Sequence, residues 1–311
     1  MSEGEERDGV ALTNLDQPLF DGADATKRDL VDYLDSAAVR MLPYLTGRPL
    51  SVLRIRPGQD PFMQKNVPKY APDWVKTATI WAESSHRQVS YALCDDRRTL
   101  LWFGNQRAVE YHPTLVTADT PDRPSYLIMD LDPPEGDAFA MAVGAAFLVR
   151  EVLTEVGMSG AVKTSGSKGV HVFVPIEGAT MEEAAAATRA VAARAERLDP
   201  ALATTAFIRE DRGGKVFLDS TRSGGATVVA VYSPRIRPGC PISHPVAWDD
   251  LNDVAPGDFT IRTPVDGDPW AELMPAPQAL DPGLIEEGRT IPVARVQAMH
   301  EGKRRARAKR G

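Results

Sequence analysis

The chain is poor in cysteine and has no long apolar run, and each shortage excludes a class of protein. Its 311 residues include two cysteines, Cys94 and Cys240, whose wide separation is not metal-type spacing, so we expect a reducing cytoplasm. No apolar run is long enough to cross a bilayer, and the acidic N-terminus lacks the basic and apolar regions of a signal peptide. With 43% hydrophobic and 25% charged residues, the composition is typical of a soluble globular protein, and we expect no membrane partner.

The chain also lacks an overall positive charge. Its formal net charge is −7, and residues 301–311 alone hold six basic residues and one acidic residue. A protein that binds nucleic acid over a broad surface usually carries many Lys and Arg residues, so we expect at most a local phosphate pocket. For the basic tail, 301–311, two interpretations stay open: an arm for nucleic acid, or a solvated end.

The first half of the sequence predicts a mixed α and β unit after a flexible lead, residues 1–10. From Thr26 to about Leu45, apolar residues recur at helical spacing. Apolar runs between Pro- and Gly-rich turns predict the strands Leu50–Ile55, Thr77–Trp81, Val89–Leu93 and Leu100–Trp102.

The second half predicts a β-α-β-β-α-β unit, which forms a four-stranded antiparallel sheet with helices on one face. The predicted strands are Tyr126–Asp132, Ala161–Thr164, Val170–Ile176 and Lys215–Leu218, the last ending in Asp219. The helices are Asp137–Val156 and a second one to about Leu198, which opens with a capping box at Thr180-Met-Glu-Glu183. A further strand is expected at Thr227–Tyr232, then mostly loops and short helices from Pro234 to Pro282.

Two carboxylates end the first strand of this unit. Asp130 and Asp132 are two positions apart, so both side chains lie on the same strand face. Paired oxygen ligands suit Mg²⁺ or Mn²⁺, although a strand that ends in an acidic loop gives the same pattern.

A second constellation is Lys163-Thr-Ser-Gly-Ser-Lys-Gly-Val-His171. Its glycines, hydroxyls and lysines can offer N–H groups and positive charge to a phosphate, yet it is no P-loop, because the glycine spacing differs and no helix follows. A polar hairpin is the alternative. In the predicted sheet the third strand lies beside the first, which brings Ser165, Lys168 and His171 towards Asp130.

A third constellation is Lys215-Val-Phe-Leu-Asp219, with Arg212 before it and Arg222 after it. The fourth strand flanks the first, so Asp219 is expected to complete a cluster of three carboxylates. Arg235 follows on the next predicted strand as a further phosphate ligand. Three acids beside phosphate binders indicate metal-assisted nucleotidyl transfer with two ions.

These motifs together resemble the archaeo-eukaryotic primase superfamily, and specifically the polymerase domain of bacterial ligase D. The matching motifs are Asp130-Leu-Asp132-Pro, Ser165-Gly-Ser-Lys-Gly-Val-His171 and Asp219, and lesser matches include Leu12-Thr-Asn14, Phe62-Met-Gln-Lys-Asn66 and Glu110-Tyr-His112. The resemblance covers about residues 10–290. It implies an α+β primase fold over 11–300, in which an N-terminal mixed module, about 11–120, packs against an RRM-like catalytic module, about 121–300.

The resemblance also implies a role for each matching residue. Catalysis and the binding of two Mn²⁺ or Mg²⁺ ions fall to Asp130, Asp132 and Asp219. Nucleotide binding falls to His112 near the sugar and to Ser165, Lys168, His171 and Arg235 at the triphosphate. DNA binding falls to Asn14 and Lys27 in a 5′-phosphate pocket, to Phe62 at the template base and to Lys65.

The implied function is a stand-alone DNA-dependent polymerase that adds one or a few nucleotides, preferably ribonucleotides, at short gaps or broken ends with a 5′-phosphate. Its substrates are NTPs or dNTPs, and its setting is non-homologous end joining or short-gap excision repair. A separate DNA ligase and an end-binding protein are the implied partners, and we expect a monomer at the nucleoid. The rivals are a non-catalytic DNA-end-binding scaffold, a de novo primase and a metal phosphoesterase.

The sequence departs from the family pattern at three places. Gln17 stands where a lysine is usual, so the 5′-phosphate pocket loses a charge. Met63 replaces a second aromatic residue after Phe62, which weakens the expected template stacking. Ser223 replaces an asparagine in a loop one residue shorter. None of these changes removes a predicted metal or triphosphate ligand.

Overall fold

The computed structural model describes residues 5–82 and 87–293. The predicted basic tail, 301–311, lies outside the described residues. Within the described ranges, no helix is both long and apolar enough to cross a membrane.

The first module is built around one sheet and two helices. Its elements are β1 (Glu6–Arg7), β2 (Val10–Ala11), α1 (Lys27–Leu45), β3 (Pro49–Arg54), β4 (Phe62–Gln64), β5 (Thr77–Ala82), β6 (Arg87–Leu93), α2 (Arg97–Asn105) and β7 (Ala108–Pro113). The sheet runs β4-β3-β6-β5, and β7 pairs with the other edge of β3. The predicted first helix is confirmed, because Thr26 caps α1 in a reciprocal capping box with Asp29.

Two expectations for this module are wrong. Leu100–Trp102 is not a strand but the middle of α2, whose N-cap Asp96 accepts a hydrogen bond from the Thr99 N–H. Residues Leu100 to Gly104 are all buried, so no helical alternation of polar and apolar residues marks the segment. The lead is also ordered where it is described, because β1 and β2 pair and Arg7 binds Asp32 and Asp35 of α1.

The second module contains the predicted split unit. Its elements are β8 (Tyr126–Asp132), α3 (Phe139–Glu155), β9 (Ala161–Thr164), β10 (Val170–Pro175), α4 (Met181–Leu198), β11 (Ala203–Thr204), β12 (Val216–Asp219), β13 (Pro245–Val246), α5 (Pro269–Leu273) and α6 (Pro282–Thr290). Short 3₁₀ helices lie at Arg209–Asp211, Arg222–Gly224 and Trp248–Asp253.

The sheet of this module contains the predicted four antiparallel strands and two more. Its order is β11-β12-β8-β10-β9-β13, with β11 parallel to β12 at one edge and β13 at the other. The expected strand Thr227–Tyr232 is wrong as a regular strand. Only one bridge, Thr227 to Thr114, and a few backbone bonds join it to β7, and Tyr232 has a left-handed φ of 63° that ends the extended run.

Alternating side chains of the second sheet enter two different cores. Leu127, Met129 and Leu131 of β8 pack with α3 and α4. Ile128 of β8 and Phe173 of β10 belong instead to the core of the first module. The sheet face opposite the helices is therefore turned towards the first module. Val228, Ala230, Val231 and Tyr232 join that first core as well. The predicted module boundaries, 11–120 and 121–300, stay a prediction.

Candidate active site

One cross-strand row of the second sheet carries most of the predicted site. Strand register pairs Asp130 of β8 with Asp219 of β12 on one side and with His171 of β10 on the other, and pairs His171 with Lys163 of β9. Directly paired residues project from the same face, so these four side chains form a row. Asp132 lies two residues further along β8 and therefore on the same face.

An arginine lies between two of the three predicted metal ligands. The Arg222 Nε atom lies 3.0 Å from Asp130 Oδ2 and 3.4 Å from Asp219 Oδ2. Asp219 also accepts hydrogen bonds from the Thr221 backbone N–H at 2.8 Å and from its hydroxyl at 2.6 Å. Both carboxylates are nearly buried, at 8% and 6% exposed. Their charges are thus partly compensated by groups of the protein itself.

Asp132 differs electrostatically from Asp130. Burial alone would raise the pKa of Asp130, but His171 and Arg222 together hold it well below its usual range. For Asp132, burial and the nearby negative charges of Asp130 and Asp219 raise the pKa to about 6, with Lys168 opposing. A bound divalent cation would relieve the repulsion between like charges that are held together in a partly buried site.

The chemistry of these donors fits Mg²⁺ or Mn²⁺. Both ions prefer oxygen ligands, and Asp130, Asp132 and Asp219 offer six carboxylate oxygens from two adjacent strands. Within residues 5–82 and 87–293, no three His, Cys, Asp or Glu side chains are gathered as a ready-made metal site. Arg222 supplies the positive charge between Asp130 and Asp219, and it must turn away before a cation can take that place.

The loop between β9 and β10 is held in a tight turn by Ser165. Its hydroxyl oxygen accepts hydrogen bonds from the backbone N–H groups of Ser167 at 3.2 Å and Gly169 at 3.0 Å. Both loop glycines are required sterically. Gly166 has a φ of 65°, and a Cβ there would lie 2.8 Å from Arg235 and Ile242. A Cβ on Gly169 would lie 2.3 Å from the Leu131 carbonyl oxygen, so this loop packs directly against β8.

Lys168 reaches from this loop to the end of β8. Its Nζ atom lies 3.2 Å from the Pro133 carbonyl oxygen and 3.3 Å from Glu135 Oε1, which also binds Arg209. Lys168 is half-buried. Its ammonium is close enough to Asp132 to oppose the rise in the pKa of that carboxyl, so Lys168 brings positive charge to the end of β8.

His171 is buried and has a partner on each ring nitrogen. Its Nε2 lies 3.2 Å from Asp130 Oδ1, and its Nδ1 lies 2.9 Å from Lys163 Nζ. Burial and the Lys163 charge lower the pKa of His171 to about 4, although Asp130 opposes them. The Lys163 amine also donates to the Ser243 hydroxyl at 2.5 Å. The imidazole is thus fixed between the acids and a buried lysine.

Glu110 of β7 joins the first module to this site. Its carboxylate lies 2.9 Å from His112 Nε2 and 3.2 Å from Arg235 Nε, and it accepts the backbone N–H of Ile236 at 2.9 Å. Burial would raise the pKa of Glu110, but His112 and Arg235 lower it to about 2. Arg235 in turn donates to the backbone carbonyl of Ser165. His112, Arg235 and the loop are therefore connected.

The predicted 5′-phosphate residues lie together in the first module. Asn14 is exposed with a φ of 52°, and its carbonyl accepts the backbone N–H of the exposed Gln17 at 3.3 Å. Lys27 is almost fully buried, and its amine donates to the Thr13 carbonyl at 2.5 Å and to Asn105 Oδ1 at 2.7 Å. Burial and the charge of Arg107 lower the pKa of Lys27 to about 8. The lysine thus braces the backbone that precedes Asn14.

The predicted template residues lie on β4 or directly after it, outside the catalytic sheet. Phe62 is half-buried, with the guanidinium groups of Arg54 and Arg56 5.6 and 4.9 Å from its ring centre. Met63 and Lys65 are exposed. The structure therefore leaves an apolar and basic strip on the first sheet.

Four residues of the site were not among the predicted site residues. Glu110, Lys163 and Arg222 lie inside or beside the quoted motifs, so their position was a usable signal. Ser243 lies in a loop segment between β12 and β13 that carries no motif, and only its contact with Lys163 identifies it.

The fold and the row of acids place the chain among proteins with the archaeo-eukaryotic primase fold. The structure is similar to the solved polymerase domain from Mycobacterium tuberculosis Ligase D in complex with DNA, with a TM-score of 0.77 and 32% identity. The match covers 86% of this chain and 98% of that chain. The family model for the LigD primase-polymerase domain matches residues 26–270, and the chain belongs to that family. As a member, it is a polymerase of the nucleotidyltransferase class.

Longer proteins contain related sequences. The chain is 34% identical over 263 residues to the bifunctional non-homologous end joining protein LigD of Bacillus subtilis, covering 83% of this chain and 42% of that protein. It is 35% identical over 260 residues to the multifunctional non-homologous end joining DNA repair protein LigD of M. tuberculosis, and the match covers 79% of this chain and 34% of that protein. The chain thus spans less than half the length of these relatives. Polymerase domains of this family are metal-dependent.

Proposed function

We propose that this chain is a DNA-dependent polymerase that fills short gaps and extends broken DNA ends by one or a few nucleotides. The observation that carries the proposal is the row of Asp219, Asp130 and His171 in register on one sheet face, beside the Ser165 loop. The similarity to a polymerase domain solved with DNA supports a DNA substrate. The names of the relatives support non-homologous end joining as the setting, with short-gap excision repair as the alternative.

The proposed chemistry is two-metal nucleotidyl transfer. Asp130, Asp132 and Asp219 would hold two Mn²⁺ or Mg²⁺ ions, which when bound supply Lewis-acid stabilisation of the attacking 3′-hydroxyl and of the departing pyrophosphate. Before that, the Arg222 guanidinium must leave Asp130 and Asp219. The oxygens released from it are the ligands that the cations need.

The proposed nucleotide site lies along the β9–β10 loop. Lys168 and Arg235 bring positive charge, and the Ser165 hydroxyl and the His171 ring can donate hydrogen bonds to phosphate oxygens. His112 would contact the sugar, where a 2′-hydroxyl offers one more hydrogen bond than a deoxyribose. A preference for ribonucleotides is therefore part of the proposal.

The proposed DNA contacts lie on the first module. Asn14 and Lys27 would form the pocket for the 5′-phosphate, and Phe62 and Lys65 would contact the template strand. A separate DNA ligase and an end-binding protein would act with the polymerase, since nucleotide addition leaves a nick to be sealed.

The test is extension of a labelled primer across a one-nucleotide gap with a 5′-phosphate, in Mn²⁺, with each NTP and dNTP. We expect wild type to add one complementary nucleotide, more efficiently from NTPs. The Asp130→Ala/Asp132→Ala variant should bind the gapped DNA and add nothing. The exposed Asp137 provides a matched control, so Asp137→Ala should extend like wild type.

Other outcomes would assign a different function. Equal extension by wild type and the double variant rules out the proposed metal ligands. Gap binding without extension by wild type favours a scaffold, shortening of the primer favours a phosphoesterase, and products without any primer favour a de novo primase.

A further inference from the structure

Lys163 is a buried lysine that the proposed chemistry does not use. It lies at one end of the catalytic row and is 0% exposed, with its amine 5.3 Å from the Phe173 ring centre. A buried ammonium is costly unless hydrogen bonds compensate it. Among residues 5–82 and 87–293, its hydrogen-bond partners are Ser243 Oγ at 2.5 Å and His171 Nδ1 at 2.9 Å. The contacts of Lys163 must therefore explain why a lysine occupies this buried position.

The hydrogen-bond directions around Lys163 follow from donor and acceptor types. The Ser243 hydroxyl donates to the Thr164 carbonyl at 2.8 Å, so its oxygen is left to accept from Lys163. An ammonium has donors only, so Lys163 must also donate to Nδ1 of His171. Burial and the charge of Arg235 lower the pKa of Lys163 well below its usual value. The proton between these two nitrogens still belongs to the lysine, because the Asp130 carboxylate holds the proton of the neutral ring on the other nitrogen, Nε2.

The other ring nitrogen of His171 faces an acceptor. Asp130 Oδ1 lies 3.2 Å from Nε2, and an ionised carboxylate can only accept. Nε2 therefore carries a proton, while Nδ1 carries none. Lys163 behind the ring and Asp130 in front of it select the same neutral tautomer.

We propose that Lys163 is a positioning residue that locks His171 as the Nε2–H tautomer, so that the ring always presents a donor to the substrate. This proposal rests on the proposed function, in which His171 binds the triphosphate. A phosphate oxygen is an acceptor like the Asp130 carboxylate, so the same N–H serves both. The opposite tautomer would turn a lone pair towards a phosphate and repel it.

The first test is the affinity for a nucleotide analogue that cannot react between its α- and β-phosphates. Lys163→Met keeps the length of the side chain but removes every donor. We expect it to weaken nucleotide binding about tenfold, the usual effect of losing a hydrogen bond to a charged group. Ser243→Ala should have a smaller effect, because Lys163 keeps its bond to His171.

A double-mutant cycle separates positioning from general loosening of the site. In a His171→Ala background, Lys163→Met should cause no further loss of nucleotide affinity, because the imidazole through which Lys163 acts is absent. In a His112→Ala background, the two losses should multiply, since His112 does not touch Lys163. Additive losses with His171→Ala, or wild-type affinity of Lys163→Met, would overturn the proposal.

The ring protonation can be observed without any nucleotide. In ¹⁵N-histidine-labelled wild type, we expect the His171 ring to show a protonated Nε2 and an unprotonated Nδ1. The His171→Gln variant assigns the signal among the five histidines of the chain. In Lys163→Met the ring should become a mixture of tautomers.

The wild-type spectrum tests the tautomer assignment even if Lys163→Met does not fold. A wild-type ring with its proton on Nδ1 contradicts the proposal, whatever the enzyme's activity. A wild-type ring with Nε2–H in a protein that binds no nucleotide contradicts the proposed function and leaves the tautomer assignment standing.

Discussion

The second sheet and strand β4 of the first sheet treat their candidate functional residues in opposite ways. On the second sheet, Lys163, His171, Asp130 and Asp219 are all at most 8% exposed and paired across strands. On the first sheet, Met63 is 43% exposed. Bond-making chemistry requires atoms fixed within fractions of an ångström, which strand register and burial provide. Contact with a large ligand requires open surface instead.

The strongest test of this contrast replaces one acid of the second sheet. Asp132→Asn keeps the size of the side chain but removes a charged metal ligand, so nucleotide addition should fall by about 10³-fold or more. Single-turnover gap extension in Mn²⁺ measures the loss. Wild-type turnover by this variant would contradict the assignment of Asp132.

The same variant should be more stable than wild type in the absence of metal. Folding raises the pKa of Asp132 from 3.8 to about 6, so stability falls as the pH rises between these values and stays reduced above them. Asparagine avoids this cost, which we place at about 1–2 kcal/mol after allowing for partial exposure. Asp130→Asn is the matched control and should be less stable, because the pKa of Asp130 is lowered by folding.

Thermal melts in chelator at pH 4 and pH 7.5 measure this difference. The gain for Asp132→Asn should be present at pH 7.5 and nearly absent at pH 4. A gain of equal size at both pH values would show that charge repulsion is not its cause.

Glu110 connects the two regions, so its replacement should weaken nucleotide selection. Glu110→Gln removes the charge that holds His112 and Arg235, and we expect kcat/KM for NTPs to fall about 10- to 100-fold, the range for a broken buried ion pair. The ratio of NTP to dNTP efficiency should fall with it. An unchanged ratio would mean that His112 does not need Glu110 to contact the sugar.

On the open sheet the effects should be smaller and confined to DNA. Phe62→Ala should weaken binding of gapped DNA by about 1–3 kcal/mol, the usual value of one stacked base, and leave nucleotide affinity unchanged. Met63→Phe should strengthen DNA binding, since Met63 is exposed beside it. Fluorescence anisotropy with labelled gaps measures both, and a loss of nucleotide affinity in Phe62→Ala would contradict the separation of the two surfaces.

The smallest effect is expected at Gln17. Gln17→Lys adds one exposed charge near Asn14, so preference for a gap with a 5′-phosphate should rise about two- to fivefold at low salt. Gel shifts with phosphorylated and unphosphorylated gaps give the ratio. The same ratio for both proteins would place the phosphate elsewhere.

Local signals in the sequence were sufficient for the β-α-β-β-α-β unit of the second module. The strand Tyr126–Asp132 and the helix after Thr180 appear with the predicted bounds, because an apolar run and a capping box are properties of short segments. Leu100–Trp102 was mispredicted as a strand, because a helical segment that is buried on all sides shows no periodic alternation of polar and apolar residues.

Contacts between distant residues could not be predicted in the same way. Ser243 meets Lys163 across 80 positions, and Glu110 meets the Ile236 backbone across 126. Such pairs depend on how loops return to the sheet, which no local pattern encodes. The family resemblance supplied the expected roles of Asp130, Asp132 and Asp219, while only the structure showed that Arg222 contacts two of them as a counter-ion.

Arg222 gives the catalytic centre a counter-ion of its own, since its guanidinium contacts both Asp130 and Asp219. Many small metalloproteins unfold without their ion, because only the ion compensates the ligand charges. Here a guanidinium does so for Asp130 and Asp219, so loading and release of cations can recur in every round of synthesis without threatening the fold. The protein should accordingly melt in one cooperative transition in excess chelator, and collapse on chelation would show that the ions are structural. The polymerase can wait for its substrates with two of its three carboxylates already held by an arginine.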